Sequence, residues 1–413
     1  MQSTRLNNHY SNGGRTMRDE PGSPPQGSGA TSEQLRQHNL SEVLGILHQE
    51  GPTPRSQLTS RTGLNRSTIA TLVGELVERG LAFEVDPTEN KQVGRPSPIV
   101  HVDPRTVAIA INPEVDAISA AVVGLDGSIT SRVRVETSAI PTAAEAVATS
   151  ASIIAKMRAE FREPTAAIGV GVAIPGLVRA SDGLVRNAPH LGWIDAPFGT
   201  MLADAIELPV SLGNDASLGA MAEKLFGAGR GVDDLIYLNG GASGIGGGII
   251  AGGRLIPGAR GYAGEFGHVR VNSASGSYDD LESGSLESEV NRTVLLAALG
   301  LASADADQLQ ATLLASRDPA VAALVHRQLE FLSTSLRNIV NVFNPEMIVL
   351  GGFLAAILVV DPEFLRTRVR AQTLSASFEE LTIRPAELGS DLLFIGAAEL
   401  AFENLLASRF DLP

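Results

Sequence analysis

The side chains best suited to reading a nucleic acid gather between residues 55 and 95. Asn65, Arg66, Ser67 and Thr68, with Thr71 one helical turn on, offer an amide, a guanidinium and hydroxyls. These groups bond base edges and phosphate oxygens. Arg55, Arg61 and Arg66 fall within residues 51–74, a stretch without a single acid. Arg95 stands in Gly94-Arg95-Pro96, where a proline-set turn can offer an arginine to a minor groove. The net charge of −14 argues superficially against such a partner, but it is unevenly spread. Residues 1–103 hold ten Lys and Arg against eleven Asp and Glu, which leaves −13 on residues 104–413. The acidity belongs to the larger part of the chain. Three arginines in so short a stretch are also ordinary surface, so charge alone leaves both readings open.

The elements that must hold these residues favour DNA. Leu40, Val43, Leu44 and Leu47 recur at i, i+3, i+4 and i+7, one helix stripe that stops near Gly51. Thr53-Pro54 reads as the start of a short second helix, the threonine capping free amides and the proline fitting the first turn. Leu58 faces inward there and Gly63 ends it. Asn65 caps a third helix with the stripe Ile69, Leu72, Val73 and Leu76, stopping at Gly80. Strand-like segments 81–85 and 98–102 flank a polar loop. This order is that of a winged helix-turn-helix, with the third helix in a major groove and Arg95 in the wing. The alternative is a three-helix module for protein contacts, for which an acid-free, capped turn has no use.

At 413 residues the chain exceeds one ordinary core, so two or three domains are expected. Hydrophobic residues make up 44%, with 43 glycines, which suits an α/β protein with many tight turns. The absence of cysteine excludes disulfides and thiolate metal sites. The N-terminus lacks an apolar signal-peptide core, and the longest apolar run, Met347 to Val360, is too short to span a bilayer. The expectation is a cytoplasmic protein with no membrane partner. Residues 1–30, rich in Gly, Ser, Pro and Asn, read as a disordered tail. Segments 106–112, 117–125 and 128–136 read as strands, the last two joined by Asp126-Gly127, and a helix follows at about 143–161. An apolar strand, a strand ending in Asn214, a helix and a second glycine-rich block follow. Two successive strand-and-helix halves suggest two lobes with a cleft between them.

Several runs, weak singly, are specific in their order and spacing. They are SQLTSRTGLNRSTIATLVGELVERGL with GRPSP behind it, GVAIPGLV, NAPHLGW, NDASLGAMAE, GIGGGIIAGG, GYAGEFGH and NPEMIVLGG. From about residue 32 to its end the chain resembles the ROK family of repressors, open reading frames and sugar kinases. The resemblance implies an α/β fold: an N-terminal winged helix-turn-helix, then a two-lobed actin-like ATPase body of the sugar-kinase kind. The expected divisions are residues 31–103 for the DNA-binding domain and 104–225, with a C-terminal helix at 391–413, for the small lobe. The large lobe then spans 226–390. Dimers or tetramers are implied as well. Carried over motif by motif, Asn214, Asp215, Glu265, His268 and Glu287 match the family's sugar contacts. Sugar hydroxyls donate and accept, so carboxylates with an amide and an imidazole can hold a ring. In family kinases the residue matching Asp215 resembles the general base for the attacking hydroxyl.

Two departures from the family pattern are informative. Kinases of the family open the body with an Asp-x-Gly-x-Thr type turn whose backbone approaches ATP phosphates. Here that place reads Ile111-Asn112-Pro113-Glu114-Val115. Pro113 removes an amide donor and Glu114 sets a negative charge near phosphate. The second phosphate loop, Ala242-Ser243-Gly244-Ile245-Gly246, is better kept. The family also follows its Gly-His with three zinc-binding cysteines, which correspond here to Tyr278, Asp280 and Ser285. No zinc and no cofactor are therefore expected. Packing and hydrogen bonds, Tyr278's among them, then hold the loop that carries His268 and Glu287.

The resulting expectation is a sugar-responsive transcriptional regulator, a repressor by preference, that senses a sugar or sugar derivative without phosphorylating it. Asp215 would be a vestigial base and the chain no enzyme. Its partners would be double-stranded operator DNA, a small sugar effector and further copies of itself. The alternatives are an active hexose or amino-sugar kinase with a DNA-binding head, and a regulator that answers to a protein.

Overall fold

The stripe Leu40, Val43, Leu44 and Leu47 lies on one helix, Ser32–Glu50, and all four side chains are fully buried. A computed structural model describes residues 32–86, 97–162, 165–241, 244–273 and 283–407. A second helix, Arg55–Thr62, ends at Gly63, whose φ of 70° turns the chain while its amide bonds Thr59 O. The third helix, Arg66–Glu78, buries Ile69, Leu72, Val73 and Leu76 as its periodicity requires. Asn65 caps it, accepting from Thr68 N at 2.8 Å.

Thr53-Pro54 departs from expectation. It is a short strand paired with Ile99 and Val100, and the second helix starts only at Arg55. The Thr53 hydroxyl donates back to Gly51 O at 2.8 Å instead of capping. Pro54, at φ −62° and ψ 141°, is extended, and a missing amide costs nothing on an edge strand. Strands Ala82–Val85 and Ile99–Val102 pair antiparallel and complete a three-stranded sheet, with 99–102 in the middle. Their connecting loop, with Arg95, lies outside the described residues.

The passage from this module to the body is short and tied. Asp103 N donates to Leu81 O at 2.9 Å, and Thr106 Oγ1 donates to Gly80 O at 3.1 Å. The Asp103 side chain is buried and bonded by Arg105, which holds its carboxyl below the usual range. Strand Thr106–Pro113 then enters the first of two five-stranded sheets. Its order is Val210–Asn214, Ala166–Ile174, Thr106–Pro113, Ala117–Gly124, Ile129–Glu136; the first two junctions are parallel and the last two antiparallel.

Alternation along these strands builds two different cores. Val107, Ile109 and Ile111 face one cluster with Ile153 and Ile154 of helix Ala143–Ala159 and Phe198 of helix Phe198–Ile206. Ala108 and Ala110 face another, together with helix Leu392–Leu406 and the apolar residues of the N-terminal module. Small residues on that face let the helix come close. A Cβ on Gly171 would stand 1.7 Å from Ala397 O. The long-range contact runs from the middle of the chain to its end. A small antiparallel sheet of Leu177–Arg179, Leu184–Ala188 and Trp193–Ala196, not foreseen in the sequence, adds to this lobe.

The second sheet runs Arg254–Leu255, Ile245–Ala251, Leu235–Gly240, Met347–Gly352, Thr382–Pro385. Ile236 and Leu238 pack toward the long helix Pro319–Phe343, whereas Tyr237 points into the core that the two lobes share. Helix Asp215–Phe226 lies between the lobes. Its Ala216 and Ala220 sit over Gly246 and Gly248, where added Cβ atoms would meet theirs at 2.8 and 2.5 Å. Among the described residues no helix is long and apolar enough to cross a membrane.

Candidate functional site

The fold brings two groups of polar side chains to the junction of the lobes. The first stands where strand Val210–Asn214 hands over to helix Asp215–Phe226. Asn214 caps that helix by accepting from Ser217 N at 3.0 Å, and its amide donates to Gly176 O at 3.1 Å. Both ends of the Asn214 amide are thus fixed by the chain. Asp215 accepts from Ala216 N at 2.8 Å through Oδ1. Burial, reinforced by the charge of Glu265, pushes its pKa up to about 6, against the pull of the Ala216 amide. A carboxylate so placed exchanges protons near neutrality.

The second group is built on the start of strand Ile245–Ala251. Gly264, at φ 98°, lets its loop lie on that strand: a Cβ there would stand 2.2 Å from Gly247 O. Phe266 anchors the turn Phe266–His268 by packing on Gly247, with its ring edge-on to Phe343 at 6.0 Å. The flanking Glu265 and His268 are left partly exposed. His268 Nδ1 lies 3.4 Å from Glu287 Oε1, and its Nε2 lies 3.9 Å from Glu265 Oε2. Glu287 comes from the short helix Leu286–Glu289 and accepts from Ile245 N at 3.3 Å. Burial raises the pKa of Glu265; His268 opposes the shift and Glu287 adds to it. The charge of Glu265 is felt at Asp215, which links the two groups, and their carboxylates, amide and imidazole suit hydroxyl groups.

The zinc donor set of the family does not fit this place. Ser285, which stands for one of its cysteines, is buried and caps the following helix by accepting from Ser288 N at 3.3 Å. His268 already lies between two carboxylates. Tyr278 and Asp280 lie outside the described residues.

The first phosphate turn is closed on itself. Pro113 still pairs with Ile118, and Glu114 N donates to Ala117 O at 2.8 Å, so the chain makes a tight hairpin. The Glu114 carboxylate accepts from Ser119 Oγ at 2.8 Å, from Asn112 Nδ2 at 3.3 Å and from Arg134, which also bridges to Asp116 at 3.0 Å. The chain's own anion thus neutralises the cation nearest the turn. Of the second loop, Ala242 and Ser243 lie outside the described residues. The space beside Gly244 is closed by Glu287, whose Oε2 would stand 2.5 Å from an added Cβ.

On the N-terminal module Asn65, Arg66, Ser67 and Thr71 are exposed at the start of the third helix, and Thr68 is half-buried. Asn65 Oδ1 accepts from Ser67 Oγ at 2.6 Å and from Thr68 Oγ1 at 3.0 Å as well as from the Thr68 amide. Thr71 Oγ1 donates to Ser67 O at 3.0 Å. These hydroxyls spend their protons within the helix and present lone pairs outward. Arg66 is unpaired among the described residues, whereas Arg55 is bonded to Glu84 and Arg61 to Glu50. Three buried polar residues, His48, Glu399 and Glu223, the last residue of the run NDASLGAMAE, acquire a structural role only in the fold. Each is a polar side chain on the apolar face of a helix, which is the signal that marks it.

The ROK family pattern matches residues 108–404, well over half of the chain. A xylose repressor of Caldicellulosiruptor bescii is 26% identical over 401 residues, spanning 90% of this chain and 97% of its own length. A glucokinase of Streptomyces coelicolor is 30% identical over 308 residues, spanning 69% of this chain and 94% of its own. The crystal structure of a ROK family transcriptional regulator, a homolog of the E. coli MLC protein, superposes with a TM-score of 0.75 at 22% identity. It covers 91% of this chain and 98% of that one, which establishes the fold. The chain belongs to the ROK family.

Proposed function

We propose that this ROK-family chain is a sugar-responsive transcriptional repressor whose kinase-like body binds a monosaccharide without phosphorylating it. The observation that carries the reading is the winged module itself, fused into the core of the body, in a chain matched over 90% of its length by a repressor and over only 69% by a kinase. The third helix, with Asn65, Arg66, Ser67, Thr68 and Thr71, would enter a major groove, and Arg95 a minor groove. Arg55 and Arg61, held by Glu84 and Glu50, would contribute only on exchanging those partners for phosphate. Two copies of the chain would read a palindrome, one third helix in each half-site. Asn214, Asp215, Glu265, His268 and Glu287 would hold the sugar, and the xylose repressor relative makes D-xylose the first effector to try.

The closed turn at Glu114 supports the loss of phosphoryl transfer. A phosphate brought there meets a fixed carboxylate and lacks the amide that Pro113 removed. Fluorescence anisotropy against the DNA upstream of its own gene tests the regulator reading. The reading expects specific binding that weakens steeply with salt; binding that is indifferent to sequence would overturn it. One observation favours a second reading, an active kinase: Asp215, with its pKa near 6, is poised as a base. An ATP-coupled assay over a panel of hexoses and pentoses separates the two. Turnover that Asp215→Asn abolishes would establish the enzyme.

A further inference from the structure

His48 belongs to the first helix of the winged module, yet its side chain is buried in the body, with 1% of its surface exposed. Its Nδ1 lies 2.7 Å from Leu125 O and its Nε2 lies 2.9 Å from Glu399 Oε2. Glu399, 4% exposed, is on the helix Leu392–Leu406. Leu125 O accepts from Nδ1, and Glu399 at Nε2 holds the ring's pKa above its ordinary value, which favours an imidazolium against a carboxylate. Phe226 closes one side of the ring at 5.5 Å and Phe402 another at 6.2 Å, both edge-on. A buried, charged and directional contact tolerates little displacement, because each partner left alone is an uncompensated charge.

The elements that meet at His48 lead back to the cleft. Phe226 is the last residue of the helix that Asp215 begins. The same helix touches Leu392–Leu406 along its length; a Cβ on Gly396 would stand 2.3 Å from Leu218 O. Glu223, fully buried on it, accepts from the amides of Glu387 and Leu388 just ahead of Leu392–Leu406. Any shift of the Asp215–Phe226 helix on closure of the lobes therefore moves Phe226 and Glu399 against His48. The connection at Asp103–Thr106, tied to Leu81 and Gly80, leaves the module little slack to absorb that movement.

We propose that the His48–Glu399 pair is the joint through which occupancy of the cleft sets the orientation of the winged module. His48 and Glu399 are positioning residues and touch neither DNA nor sugar. The inference rests on the regulator reading and adds to it the route of coupling.

The test uses the full chain in two forms, wild type and the double variant His48→Leu with Glu399→Leu. An apolar pair can replace a buried ion pair without loss of folding. His48→Gln serves as a second, milder variant if the double one fails to fold. Calorimetry with D-xylose and D-glucose shows first that each form binds sugar equally. Operator affinity is then measured with and without the bound sugar. In the wild type the sugar shifts operator affinity by about 5- to 150-fold, the ordinary range of a coupling between sites. In a variant with unchanged sugar affinity the shift falls below about twofold. A variant that folds, binds sugar and keeps the full shift overturns the joint and leaves the regulator reading intact. A wild type whose operator affinity no sugar moves overturns the regulator reading, and the joint with it.

Discussion

Glu223 gives the most quantitative prediction. It is fully buried at the end of the inter-lobe helix, where its Oε2 accepts from Ala228 N at 2.8 Å. Its Oε1 accepts from Glu387 N at 2.9 Å and from Leu388 N at 3.0 Å. One carboxylate thus closes the last turn of its own helix and fastens the strand leaving the second lobe. Replacing Glu223 by alanine strands one buried amide, at Ala228, and two part-buried ones, at Glu387 and Leu388, the first costing about 1–3 kcal/mol and the others less because water reaches them. Water entering the vacated space recovers part of this, so a loss of about 3–5 kcal/mol is expected. Glu223→Gln keeps the shape and one acceptor oxygen but turns an NH2 toward a donor, for a loss of about 2 kcal/mol. Trp193, the only tryptophan, is buried against Phe198 in the first lobe and reports unfolding in urea. The order wild type, Gln, Ala in midpoint at constant m-value is the expected result. A glutamine variant within about 0.5 kcal/mol of wild type would refute the reasoning, since shape alone would then suffice.

Other outcomes follow from particular groups. Sugar affinity, if Asp215 accepts from a hydroxyl as carboxylate, rises as pH passes upward through about 6; calorimetry between pH 5 and 7.5, on the order of the range that a pKa near 6 requires, shows it, and Asp215→Asn flattens the profile. Burial by itself would lower the His48 pKa, but the charge and hydrogen bond of Glu399, with Leu125 O and the more distant Asp126, raise it above 6.5. The stability that His48 contributes is therefore complete below its unfolded value near 6.5 and is lost as pH rises through the higher folded value. Urea midpoints of wild type and His48→Gln should converge in alkaline buffer. Gly171→Ala forces helix Leu392–Leu406 off its strand, where the new methyl meets Ala397 O, and lowers stability by about 1–3 kcal/mol in the same assay.

Much of the fold is legible in the linear chain. The stripes of the first and third helices, the cap at Asn65 and the hairpin at Asp126-Gly127 follow from local rules, and local interactions decide them. Thr53-Pro54 misleads because a pairing with residues 99–100, distant in sequence, overrides its helix-starting preference. The acidic and imidazole residues of the cleft stand out through their motifs, not their spacing, because Asp215 comes within reach of the charge of Glu265 only in three dimensions. Glu114 reads as a stray charge near a phosphate turn; that Ser119 and Arg134 clamp it is invisible in a linear pattern. His48 and Glu399 are separated by most of the chain, and neither has a local partner to betray it.

That separation bears on how the molecule is made. The winged module leaves the ribosome long before helix Leu392–Leu406, the surface that completes its core. A nascent chain carries His48 without Glu399 until 351 further residues have been added. Domains usually fold in order from the N-terminus as they emerge. Here the first module can reach its finished orientation only once that late helix has been made, so an unfinished product lacks the joint that would orient it on DNA.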